Sequence, residues 1–215
     1  MQEDPKYQPG EPPVPVGLSA DVVISPDTLR ADRIPPGQVR TRKWPVLHAT
    51  TVPQIDLAEW TLTITGLVEH PLRWSWDEFR AFPRVQVFAD FHCVTRWSRL
   101  GNLWEGVLVS DLLRHAGIDP RAKFAIVGGA DAGWTTNLPI EYLLSPDTLL
   151  ADTHDGSPLD ADHGGPVRLI VPRLYAWKSA KWVTNLHLVE SDSPGYWEQL
   201  GYHSHGDPWT EERYE

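Results

Sequence analysis

A single cysteine, Cys93, stands in 215 residues. It rules out an intramolecular disulfide, so the fold must rest on a buried core and paired backbone, and it agrees with a reducing compartment. Upstream of it, Val85, Val87, Ala89 and Phe91 alternate with other side chains, the period-2 pattern of a strand. Cys93 therefore sits where a strand runs into a loop. Thr95, Arg96, Ser98, Arg99, Gly101 and Asn102 extend that loop with donors and positive charge suited to an anionic ligand. A thiolate is the soft ligand that transition metals select and also a strong nucleophile, whereas a free cysteine can equally be a small buried hydrophobe.

Similar short runs fill the rest of the chain. Trp60, Leu62 and Ile64 alternate with Thr61, Thr63 and Thr65 up to Gly66, a β-branched strand with one buried face. Ser75-Trp76-Asp77-Glu78 has the form of a capping box, opening a short helix that Pro83 closes. Ser110-Asp111 is expected to cap a second helix through Leu112 and Leu113 to Ala116, with Gly117 as its stop. Further strands are expected over 123–127, 147–153, 167–171 and 181–189, the last with Trp182, Thr184, Leu186 and Leu188 on one face. Pro139 begins a short helix. The pattern predicts an α+β class: a single mixed, mainly antiparallel β domain with short helices. Residues 1–17 are expected to be a disordered Pro-rich tail and 18–215 one domain.

The net charge of −10 disfavours nucleic acid as a partner. No apolar run reaches the roughly 18 residues of a membrane span, and no export signal stands at the N-terminus, so the expected location is cytoplasmic. Acids are unevenly spread: windows free of carboxylate run between Asp32 and Asp56, Asp90 and Glu105, and Asp162 and Glu190. The last holds Arg168, Arg173, Lys178 and Lys181. Convergence of the windows would give an acidic protein one basic pocket for an anion.

Three segments carry a family resemblance: the Cys93 loop with Trp104-Glu105-Gly106, the run His163-Gly164-Gly165-Pro166-Val167-Arg168-Leu169-Ile170-Val171-Pro172, and Lys178-Ser179-Ala180-Lys181-Trp182. Their order and spacing resemble the molybdopterin-binding domain of the sulfite oxidase family, and most closely its compact prokaryotic members, over roughly Arg40 to the end. The resemblance implies a molybdenum-dependent oxidoreductase using a single pyranopterin, with Cys93 as the thiolate ligand to the metal. It implies further that His163 and Arg168 hold the pterin and its phosphate, with Lys178, Ser179, Ala180 and Lys181 closing over the same end. Arg42, in its Arg-x-x-x-Pro-Val setting, matches an arginine that reaches the active site, and Tyr202, five residues after Trp197, matches an active-site tyrosine. Arg42, Arg96 and Tyr202 are thus expected to orient the substrate oxygen.

The sequence also departs from the sulfite oxidases proper. Val94-Thr95-Arg96-Trp97 follows the cysteine in place of an Ala-Gly-Asn-Arg type loop, which puts sulfite itself in question. The expected reaction is transfer of an oxygen atom to or from a small oxyanion or S-oxide, with an electron donor or acceptor that the sequence does not identify. Two alternatives remain at this point: a molybdopterin carrier without turnover, and a hydrolase using Cys93 as nucleophile with His92 or His163 as base.

Overall fold

The computed structural model describes residues 17–131 and 133–215, so the expected tail lies, apart from Gly17, outside the described residues. Strand β1 (Val23–Ile24) and β2 (Val39–Arg40) are brief, and β3 (Thr61–Gly66) is the alternating run, with Leu62 and Ile64 fully buried. After β4 (Leu72–Ser75), α1 (Trp76–Arg80) opens with both reciprocal bonds of the Ser75–Glu78 capping box. Next come β5 (Val85–Cys93), β6 (Trp97–Leu108), α2 (Val109–Ala116), β7 (Phe124–Gly129), β8 (Thr135–Pro139) and α3 (Ile140–Leu143). Strands β9 (Leu149–His154), β10 (Ser157–Pro158), β11 (Arg168–Ile170) and β12 (Val183–Val189) complete the described elements, with a few 3-10 turns.

One sheet has the order β1-β5-β6-β9-β10, with β2 on β6 and β11 on β9; the other runs β4-β3-β12-β7-β8. Pairing is parallel at β1–β5, β2–β6 and β3–β12 and antiparallel elsewhere, the expected mixed, mainly antiparallel α+β domain. The larger hydrophobic core joins Leu62, Ile64, Leu186 and Leu188 of the second sheet to Val107, Leu150 and Leu169 of the first and to Leu112 and Leu113 of α2. Each such fully buried leucine contributes about 1.5–3 kcal/mol relative to exposure. A smaller cluster, including Val87, Phe91, Trp104, Ile170, Tyr175 and Trp177, backs the end of β5. Among the described residues no helix is long and apolar enough to cross a membrane.

Three expectations need correction. The stretch after Cys93 is not a long loop, because β6 already begins at Trp97 and pairs with Cys93, leaving only Val94–Arg96 as a turn. Helix α2 starts at Val109, and its N-cap Leu108 makes no side-chain cap bond, so Ser110-Asp111 lie inside the first turn. Burial of Val109 together with Leu112 and Leu113 sets that start, overriding the local cap signal. Strand β12 begins at Val183 rather than Lys181, since Trp182 has φ 51 and the register shifts between Val183 and Asn185. Val183, Leu186 and Leu188 are its buried residues.

Strand ends gather at one place. β5 finishes at Cys93, β11 starts at Arg168, and β12 follows directly on Lys181-Trp182. The last two are laced together by Leu169 N–H donating to Ala180 O at 2.8 Å and Val183 N–H to Val167 O at 2.9 Å.

Candidate functional site

An open cavity of about 1030 Å³, its solvent-filled mouth included, lies over these strand ends. Cys93, Arg168, Ser179, Lys181 and Tyr202 all line it. All three acid-poor windows reach the cavity. The first supplies Trp44 and His48, and the second the Cys93–Trp97 turn, while only the third brings its cations, Arg168 and Lys181.

Cys93 is 7% exposed, and its Sγ lies 3.2 Å from the Thr95 hydroxyl. Burial pushes its thiol pKa up, against smaller lowering by the Thr95 bonds and by Arg168 and Arg213. Arg168 extends from the start of β11, Nη1 donating to His163 O at 2.8 Å and its guanidinium 5.0 Å above Phe91, while buried Nε has no partner. Burial lowers its pKa to about 10. Lys181 Nζ donates to Asp162 O at 2.6 Å, and burial followed by repulsion from Arg168 brings its pKa down to about 7. Neither cation has an ion-pair partner among the described residues. Two desolvated cations side by side without a direct ion pair, Lys181 being only partly offset by the charges of Asp162, Asp160 and Asp131, favour an anion that joins them.

Other expected residues lie elsewhere. Arg42 and Arg96 are exposed and outside the lining, and Arg96 turns away with φ 72. His163 stands behind Trp44, stacked on it at 3.9 Å, with Nδ1 2.8 Å from Asp160 and Nε2 3.1 Å from Trp44 O. Ala180 is buried, its carbonyl spent on β11. Lys178 is fully buried behind the wall, its Nζ 2.6 Å from Glu198 Oε1 and also donating to Asn137 and Ser204. Burial lowers the Lys178 pKa and Glu198 opposes that.

Aromatic side chains and a carboxylate that the sequence reading missed complete the wall. Trp177, Trp182 and Trp197 line the cavity, and Glu198 Oε1 accepts from Trp177 Nε1 at 2.9 Å as well as from Thr136 and Lys178. Asp131 also lines it: Oδ2 accepts from the Thr50 hydroxyl at 2.7 Å, while Oδ1 is buried without a partner and burial raises the pKa. Its place in the glycine-rich sequence 128–133 was the available signal. Trp182 and Trp197 stand in the segments that carry the resemblance, whereas Trp177 was marked only by its aromatic type.

Removing one member of a buried ion pair leaves the other charge stranded, at a cost of about 3–5 kcal/mol. Glu198→Ala is therefore expected to lower the unfolding free energy by about that much in urea titration. A wild-type midpoint and slope would show that the Lys178–Glu198 pair does not support the wall.

Neither histidine of the hydrolase alternative is free to serve as its base. His92 is fully buried, bonded through Nδ1 to the Ser98 hydroxyl at 2.8 Å, and burial brings its pKa to about 3. His163 is engaged by Asp160 and Trp44.

The family model described as the oxidoreductase molybdopterin binding domain matches residues 48–197. The chain belongs to this family. It is 45% identical to the uncharacterized oxidoreductase YuiH of Bacillus subtilis, over 86% of this chain and 93% of that protein. It is 34% identical to the putative protein-methionine-sulfoxide reductase subunit YedZ1 of Azospira oryzae, over 72% of this chain and 58% of that one. Among solved structures it is similar to the sulfane dehydrogenase SoxCD from Paracoccus pantotrophus, with TM-score 0.60 and 28% identity over 65% of this chain and 40% of that one. Thus the chain spans well under two thirds of the last two.

This chain is accordingly a molybdopterin-dependent oxidoreductase of the sulfite oxidase type. The cavity fits the cofactor: a soft thiol for the metal, two cations without a direct ion pair for a phosphate, a partnerless Asp131 oxygen for a ring N–H, and aromatic walls for a planar heterocycle. At Gly164, φ is +107, and a Cβ would come within 2.9 Å of the Lys181 Cγ. Only glycine lets the backbone pass so close to that lysine stem.

Proposed function

We propose that residues 18–215 form one catalytic domain that moves an oxygen atom to or from a small oxyanion or S-oxide, with Cys93 as the protein ligand to molybdenum of a single pyranopterin. The observation that carries this reading is the meeting of one thiol and two unpaired cations in a single cavity wall. Arg168 and Lys181 would hold the phosphate, Ser179 would cover the same end, and Asp131 would accept from the pterin ring. His163 would act through Trp44 and through its carbonyl bond to Arg168. When bound, the cofactor supplies a metal that exchanges an oxygen atom for two electrons.

Tyr202 is the residue that would orient substrate. It contacts Trp177 and Trp197 at ring distances of 5.2 and 5.0 Å, and its N–H donates to Trp197 O. Burial first, then Tyr214 and Cys93, raise its pKa, so the phenol stays a donor at neutral pH. Arg42 and Arg96 are not assigned this part, since both are exposed and neither lines the cavity.

Tyr202→Phe removes the hydroxyl and keeps the ring. Turnover is expected to fall roughly a hundred-fold or more, the range lost with a well-placed proton donor, at unchanged molybdenum and pterin content. Equal rates at equal loading would remove Tyr202 from the chemistry. The reaction class is tested by dye-linked reduction of methyl S-oxides and nitrate and by dye-linked oxidation of sulfite. A fully loaded protein inert toward all of them would favour the carrier reading.

A further inference from the structure

Arg213 lies beyond the family-matched residues 48–197, yet it is only 5% exposed and reaches the turn that follows Cys93. Its Nη1 donates to Val94 O at 2.7 Å and its Nη2 to Pro36 O at 3.3 Å. The guanidinium lies 5.1 Å over the Tyr175 ring, and Nε is buried without a partner. Its carboxylate neighbour, Glu211, is 3.6 Å away and 47% exposed, so water screens that pairing. The same turn is also held by Gln38 Nε2 donating to Cys93 O at 3.1 Å and by Val39 N–H donating to Arg96 O at 2.9 Å. Within the turn, Arg96 N–H donates to Cys93 O at 3.0 Å while Arg96 holds a left-handed φ of 72. A non-glycine residue in that conformation persists only when its surroundings fix it.

We infer that Arg213 is a positioning residue for the cofactor: its guanidinium clamps the Val94 carbonyl, so that the C-terminal segment fixes the direction of the Cys93 sulfur toward the metal. The inference rests on Cys93 being the metal ligand. A bidentate clamp of this kind uses the planar fork of arginine, and lysine, a single point donor, cannot span Val94 O and Pro36 O together.

Hydrogen–deuterium exchange on the full cofactor-free chain tests the clamp without reference to any reaction. Arg213→Ala is expected to speed exchange at the amides of residues 94–97 by about ten-fold, the scale of one lost charge-assisted bond, with distant core amides unchanged. Arg213→Lys should restore part of that protection. In holoprotein, Arg213→Ala should also alter the EPR g-values of the one-electron-reduced metal, since the sulfur changes its angle. Uniformly faster exchange across the chain would mean a general structural role and overturn the inference. Unchanged exchange in the turn would overturn it too, in either variant. Faster turn exchange with wild-type g-values would overturn the link to the metal. Failure of substrate assays would leave all these readouts intact, so the reaction class and the clamp fail separately.

Discussion

Cys93→Ser is expected to bring turnover down to background while the protein stays folded and still releases pterin on denaturation. A hard hydroxyl is a poor replacement for a soft thiolate at molybdenum, whereas Arg168, Lys181 and Asp131, which would hold the organic part, are untouched. The fold should tolerate the change, because the polar contacts of Sγ are with Thr95, its hydroxyl and its backbone N–H, which a serine can also make. Circular dichroism and pterin fluorescence separate these readouts from activity. Wild-type turnover by the serine variant would remove Cys93 from the metal.

Arg168→Ala is expected to lower cofactor affinity roughly ten- to a hundred-fold, because it deletes charge-assisted contacts worth about 1.5–3 kcal/mol. Lys181→Ala should act in the same direction. Pterin released per chain, under limiting cofactor supply, measures both. Lys181 adds a pH signature: its pKa of about 7 in the cofactor-free chain means that its charge is full well below neutrality and is lost as pH rises through 7. Initial anion capture by the cofactor-free chain should therefore weaken above pH 7 in wild type, and by less in Lys181→Ala. Full loading of both alanine variants would take these cations out of the binding site.

How much of this was legible in the sequence follows from which interactions are local. The Ser75–Glu78 capping box and the alternation of β3 are decided within a few residues, and both read correctly. The end of β5 at Cys93 was visible for the same reason. Its continuation was not, since a reversal through Arg96 at positive φ carries none of the glycine or asparagine chemistry that marks such turns. Lys178 and Lys181 look equivalent in sequence. The 3-10 turn Ala176–Lys178 sends the first into a fully buried pair with Glu198, and the second faces the cavity. Arg213 offered no pattern at all, because its role depends on a partner 119 positions away.

Sulfur coordination of the metal tests the central claim most directly. Molybdenum K-edge X-ray absorption on the purified holoprotein should show the two dithiolene sulfurs plus a thiolate sulfur, and the Cys93→Ser protein should show the dithiolene pair alone. A sulfur count that is the same in both proteins, or wild-type protein purified from a cofactor-producing host without molybdenum, would contradict the account.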